Sequence, residues 1–183
     1  MEHGNDTSYK LETFFEIAVS YNERVQQTND IQWIIIFDET RKKEVLGISK
    51  AGKWVFKDEE RFFVLKDKKN FLCCVKLLEI PYIEIKANVE ERFTEIMNKE
   101  GVCLSTIFPF FQIVEFVFCN LFDDYWFDLA WLWYEKLHMS ERYKLASQLE
   151  KISKTKKISQ RNRQKANREA KNLVTGFNES LMD

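Results

Sequence analysis

The hydrophobic period of this chain turns from strand-like to helical near residue 87, and that change limits the folds open to it. Before it, Ile31–Phe37 (IQWIIIF) is a near-continuous, β-branched apolar run of the kind a strand buried on both faces requires. Shorter strand-like segments follow at Glu44–Ser49, Lys53–Lys57, Arg61–Lys66, Phe71–Leu78 and Tyr82–Lys86. Ala51-Gly52 and Asp67–Asn70 supply turn chemistry between them, and Asp58–Glu79 also admits helix. In front, Leu11, Phe14, Ala18, Tyr21 and Val25 form the stripe of an amphipathic helix over Tyr9–Gln26, broken by Asn29-Asp30.

After Lys86 the spacing becomes helical. Asn88 and Glu91 have capping-box spacing and open a helix that ends at Gly101. Further helices are predicted over Phe108–Phe122, from an Asp123 cap to Leu137, from a Ser140 cap to about Ser153, and from a Ser159 cap to Val174 with Gly176 just beyond. Strands first and helices afterwards is the order of an α+β fold: an N-terminal helix, an antiparallel meander of about five or six strands, then a C-terminal bundle of about five helices. Residues 1–87 hold the helix and meander and 88–183 the helical part, packed on one core as a single compact domain.

Charge is distributed as unevenly as hydrophobicity. Lys151, Lys154, Lys156, Lys157, Arg161, Arg163, Lys165, Arg168 and Lys171 face a single acid, Glu169, over residues 151–171. Residues 1–150 keep 19 of the 28 basic residues against 26 of the 29 acids. A basic tail on an acidic body either folds back on that body or reaches for an external anion.

Two ridges carry this polarity. Asp124, Asp128, Trp131 and Glu135 fall on one edge of an otherwise apolar helix, where a tryptophan among carboxylates suits a basic or aromatic protein partner. The alternative is that this edge is the solvated face of a core helix. Arg161, Lys165, Arg168 and Asn172 repeat the same spacing, with Lys171 beside them. The two ridges can therefore dock on each other, or the basic one can meet nucleic-acid phosphates through counterion release. The pI near 6.2, the acidic body and the lack of an interleaved aromatic row weigh against nucleic acid.

Catalytic patterns are sparse. Tyr82–Lys86 (YIEIK) contains the E-x-K pattern of restriction-endonuclease-like nucleases, and in a strand Glu84 and Lys86 would share a face for metal-dependent cleavage. The upstream Pro-Asp signature is missing, and the same residues fit the wet face of an amphipathic strand. Of the two histidines, His3 and His138, only His138 suits a relay, paired with Cys103 or Cys119; a helix C-terminus accounts for a histidine there equally well. The sequence contains no phosphate-loop, nucleophile-elbow or zinc-protease motif. Cys73 and Cys74, adjacent in a strand, would face opposite sides and could not ligate jointly. No metal and no cofactor are expected.

The N-terminal MEHGNDTSYK lacks a signal-peptide pattern, and the apolar run Ile107–Phe122 falls short of the ~20 residues of a membrane span. With four unpaired-looking cysteines, these features predict a reduced, cytoplasmic protein that does not insert in membranes. In general character the chain resembles bacterial toxin-immunity proteins, with no motif by which residues carry over. The resemblance implies a non-catalytic protein that occludes a basic toxin or effector through Asp124, Asp128, Trp131 and Glu135. Alternatives are a nucleic-acid-associated protein using Arg161, Lys165, Arg168 and Lys171, and a metal nuclease built on Glu84 and Lys86.

Overall fold

The computed structural model describes residues 3–39, 43–120 and 123–179. The fold is α+β: an N-terminal helix, a five-stranded antiparallel sheet, then a succession of helices. The chain clusters into two compact units, one of Met1–Cys74 with Ile83–Pro109 and one of Val75–Tyr82 with Phe110–Asp183.

In the first unit, helix α1 (His3–Ser20) buries Leu11, Phe14, Phe15 and Ala18, one face of a 3.6-residue period. It stops at Asn22, whose φ of 67° places it in the left-handed region. The Glu23 and Asn22 amides donate to the Ala18 and Val19 carbonyls, at 3.0 Å each, and close the last turn as a Schellman motif. The helix expected to reach Gln26 therefore ends early, and Val25–Thr28 is strand β1. Asn29 and Asp30, with φ of 47° and 61°, form the primed turn that returns the chain into β2 (Ile31–Glu39). A pair of residues that reads as a helix breaker is the hinge of a hairpin.

Strands β3 (Glu44–Ser49), β4 (Trp54–Asp58) and β5 (Arg61–Val64) complete a meander in sequential order. A bulge between Ile35 and Phe37 lets β2 bury Trp33, Ile34, Ile36 and Phe37, which is why that run is nearly continuously apolar. Gly47 lies where a Cβ would sit 2.4 Å from both the Ile34 carbonyl oxygen and the Trp33 ring.

Two segments expected as strands are helical. Lys68–Glu79, which includes Phe71–Leu78, forms 3₁₀ turns, and Tyr82–Lys86 is the start of helix α2 (Tyr82–Glu100). The reason is visible in what is buried. Phe71, Cys74 and Leu77 recur every three residues, and Ile85, Val89, Phe93 and Ile96 every three to four. The alternation of Ile83 and Ile85 misleads because Ile83 is 65% exposed. The helix thus opens six residues before Asn88 and ends, as predicted, at Gly101 with a φ of 64°. A short helix, α3 (Leu104–Ile107), was not anticipated; the Trp54 indole donates to its Ile107 carbonyl at 2.9 Å.

The second unit contains α4 (Phe110–Asn120), α5 (Asp124–Tyr134), α6 (Met139–Lys144), α7 (Ala146–Lys154) and α8 (Gln160–Glu179). Residues 121–122 at the end of the second predicted helix lie outside the described residues. Asp123 caps α5 by accepting from the Trp126 amide at 3.1 Å, as its position predicted. The single helix expected from Ser140 to Ser153 is two, because the chain turns at Leu145. The cap of α6 is His138, whose Nδ1 accepts from the Ser140 amide while Glu141 accepts from the His138 amide. His138 thus opens a helix, where a helix C-terminus had been expected. Ser159 caps α8 as predicted, but Gly176 does not end it.

Replacing Gly47 by alanine forces either the β2 backbone or the Trp33 indole to move. A loss of about 2 kcal/mol in urea unfolding is expected. An unchanged midpoint would show that the close approach is not a constraint.

Candidate functional site

The two charged ridges meet along the seam between α5 and α8. Asp124, in the first turn of α5, accepts two hydrogen bonds from the Ser159 amide (3.0 and 3.1 Å) and one from Asn162 Nδ2 (2.7 Å). A carboxylate at the start of α8 satisfies amides that would otherwise lack partners and complements the helix dipole. The Ser159 amide, together with Asn162 and the nearby Arg161 charge, holds the Asp124 carboxyl below its usual value against the opposing effect of desolvation.

One turn along, the Lys165 ammonium lies 4.3 Å from the centroid of the Trp131 ring. Trp131 is only 4% exposed, and its indole donates to Glu135 at 2.6 Å. Burial lowers the Lys165 ammonium from its ordinary value, and the Glu135 and Asp128 charges partly restore it. Trp131 is therefore covered by this chain's own basic helix and is not an open anchor. Of the four acidic-ridge residues, Asp128 and Glu135 remain exposed.

Beneath the seam lies a network the sequence reading missed. The Tyr134 hydroxyl donates to Glu169 at 2.8 Å, Arg142 donates to the same Glu169 oxygen, and the Arg142 guanidinium stacks 4.8 Å from the Tyr134 ring centroid. Tyr134 is fully buried. Burial, reinforced by Glu169 and opposed by Arg142, raises its phenol well above the ordinary value. The signal was present in the sequence: Glu169 is the one acid in a basic stretch.

Exposed apolar groups occur on a neighbouring face of α5. Tyr125 and Leu132, 53% and 59% exposed, are seven residues apart and so share one side of the helix. Asp128 and Glu135 flank them, and the Tyr125 hydroxyl donates to Glu79 at 2.9 Å. The basic ridge divides in the same way. Lys165 faces the seam, whereas Arg161, Arg168 and Lys171 face solvent with Lys151, Lys156 and Lys157, and none of these six is in an ion pair among the described residues.

The nuclease geometry is absent. On helix α2 Glu84 and Lys86 are two residues apart and point about 200° away from each other, and Lys86 instead approaches Glu90 at 3.7 Å. Cys103 and Cys119 are exposed; Cys103 contacts Ser105 and Thr106, while the His138 ring is engaged in its cap. Among the described residues no group of three or more His, Cys, Asp or Glu side chains is placed to hold a metal ion. No helix among them is long and apolar enough to cross a membrane. Comparison with known proteins finds no matching family model, no similar curated protein and no similar solved structure.

The depressed Asp124 value has a consequence for stability. A carboxyl whose folded value lies below the unfolded one stabilises the fold above the ordinary value of 3.8, and that contribution fades as pH falls through the folded value. Urea midpoints of the wild type should therefore drop more steeply below pH 3.8 than those of Asp124→Asn. Parallel curves would show that Asp124 is not linked to folding.

Proposed function

We propose that this chain is a non-catalytic binding protein, of the toxin-immunity type, that takes a basic protein partner on the solvent-facing side of α5. The observation that carries the reading is the pairing of Tyr125 and Leu132, exposed on one side of a helix, with the exposed carboxylates Asp128 and Glu135 alongside. Large side chains at the centre of such a face supply affinity by leaving water. Flanking carboxylates speed the approach of a cationic partner more than they deepen binding. The mechanism is occlusion: the partner's lysines or arginines meet Asp128 and Glu135 while its surface closes over Tyr125 and Leu132. Relative to the sequence reading, the anchor moves from Trp131, which is covered, to its exposed neighbours on the same helix.

A second reading rests on the six unpaired cations of α7, α8 and the turn between them. Lys151, Lys156, Lys157, Arg161, Arg168 and Lys171 suit a phosphate backbone, whose binding falls steeply as salt rises.

Affinity capture from cells of the source organism separates the two. The wild type should retain a basic protein that is lost with Tyr125→Ser plus Leu132→Ser and with Asp128→Lys plus Glu135→Lys, while Arg161→Gln plus Arg168→Gln captures it normally. An unchanged protein set with both α5 variants would remove this face from consideration. Salt-sensitive retention of nucleic acid that depends on Arg161 and Arg168 would replace the first reading by the second.

A further inference from the structure

Because Lys68–Glu79 is helical, Cys73 and Cys74 do not point to opposite faces. Their sulfurs lie 3.8 Å apart, in van der Waals contact. Cys74 is fully buried; Cys73 is half-buried, and its thiol approaches the Asn70 carbonyl at 3.0 Å. The two thiols are therefore unequal. The Cys74 S–H favours a thiolate on Cys73 and, against burial and the Asp58 charge, draws that thiol below its ordinary value, with Arg61 assisting. Burial pushes Cys74 up, and the neighbouring Cys73 and Glu44 push in the same direction. A half-buried sulfur that ionises below its ordinary value, beside a fully buried one that ionises above it, is the arrangement of an attacking and a resolving thiol.

We propose that Cys73 and Cys74 form a reactive dithiol that a low-molecular-weight disulfide, of the glutathione class, converts to a reversible disulfide between adjacent residues. In the first step the Cys73 thiolate attacks one sulfur of R–S–S–R, forming Cys73–S–S–R and releasing R–S⁻. In the second, Cys74 sulfur attacks the Cys73 sulfur and expels the remaining R–S⁻, which leaves with the Cys74 proton as a thiol. The protein loses two hydrogens and two electrons, and the external disulfide is reduced to two thiols.

The bond is a labile one. Neighbouring Cα atoms are ~3.8 Å apart across a trans peptide, closer than the usual range of about 4.4–6.8 Å for a bridged pair. Ring closure therefore strains the backbone, and strained disulfides are the readily reduced ones. Cys103 and Cys119 differ: each is exposed and neither contacts another sulfur among the described residues, so a mixed disulfide formed there has no resolving partner.

The test uses the full chain with Cys103→Ser and Cys119→Ser as the parent, treated with oxidised glutathione, quenched in acid and read by intact mass and peptide mapping. The parent should lose two hydrogens, carry no adduct, and recover its thiols with a mild monothiol. Adding Cys74→Ala should stop the reaction at a single glutathione adduct on Cys73. Adding Cys73→Ser should leave Cys74 unmodified until denaturant is present, with circular dichroism confirming the fold of each variant. A stable adduct on Cys73 in the parent would overturn the proposal, as would a parent that stays reduced while the Cys74→Ala variant is modified.

Discussion

The second unit depends on one acid, Glu169, set among the basic residues of α8. Glu169 receives a phenol and a guanidinium at one oxygen, and those donors come from two other helices, α5 and α6. Charge-assisted hydrogen bonds that are shielded from water are worth about 1.5–3 kcal/mol each, whereas exposed ion pairs contribute about 0–1 kcal/mol. The nine basic residues of the tail are more numerous, but most of them face solvent. What holds α8 is therefore the Glu169 carboxylate, the apolar stripe of Ala166, Ala170 and Leu173, and the cap that Asp124 gives its first turn. The removal of Glu169 leaves the buried Tyr134 hydroxyl and the partly buried Arg142 guanidinium without their shared acceptor, which makes the network costly to break.

This arrangement settles what the opposed ridges do for each other. They meet through Lys165 over Trp131 and through Asp124 at the start of α8, and no more of the basic ridge is consumed than that. Two unsatisfied surfaces remain on one unit: an acidic, partly apolar side of α5 and a cationic side of α7 and α8. The carboxylates of the first face repel a polyanion, and its exposed apolar side chains differ in kind from the cations of the second.

Much of the fold was legible because local chemistry and burial agreed. The β2–β4 strands, the Asp123 and Ser159 caps and the Gly101 stop all stand where propensity, turn residues and apolar spacing point the same way. The misreadings occurred where two periods overlap. Ile83 and Ile85 satisfy a strand's alternation, yet only Ile85 continues into the buried stripe of α2. Val25 satisfies the stripe of α1, yet Asn22 has already reversed the chain. The site was partly legible for a related reason: spacing shows which residues share a helix edge but not which neighbour covers it. Trp131 sits on the predicted edge and is hidden by Lys165, while Tyr125 and Leu132, on the apolar remainder of that helix, are exposed. The Tyr134–Arg142–Glu169 network joins residues 8 and 27 apart, beyond any local pattern.

The central claim is that one partly buried carboxylate, and not the count of surface cations, keeps the basic helix in place. Urea unfolding of Glu169→Ala against Arg161→Ala plus Arg168→Ala tests it most directly. A loss of about 2–4 kcal/mol is expected for the first and less than about 0.5 kcal/mol for the second. Equal losses, or a larger one from the two arginines, would contradict it.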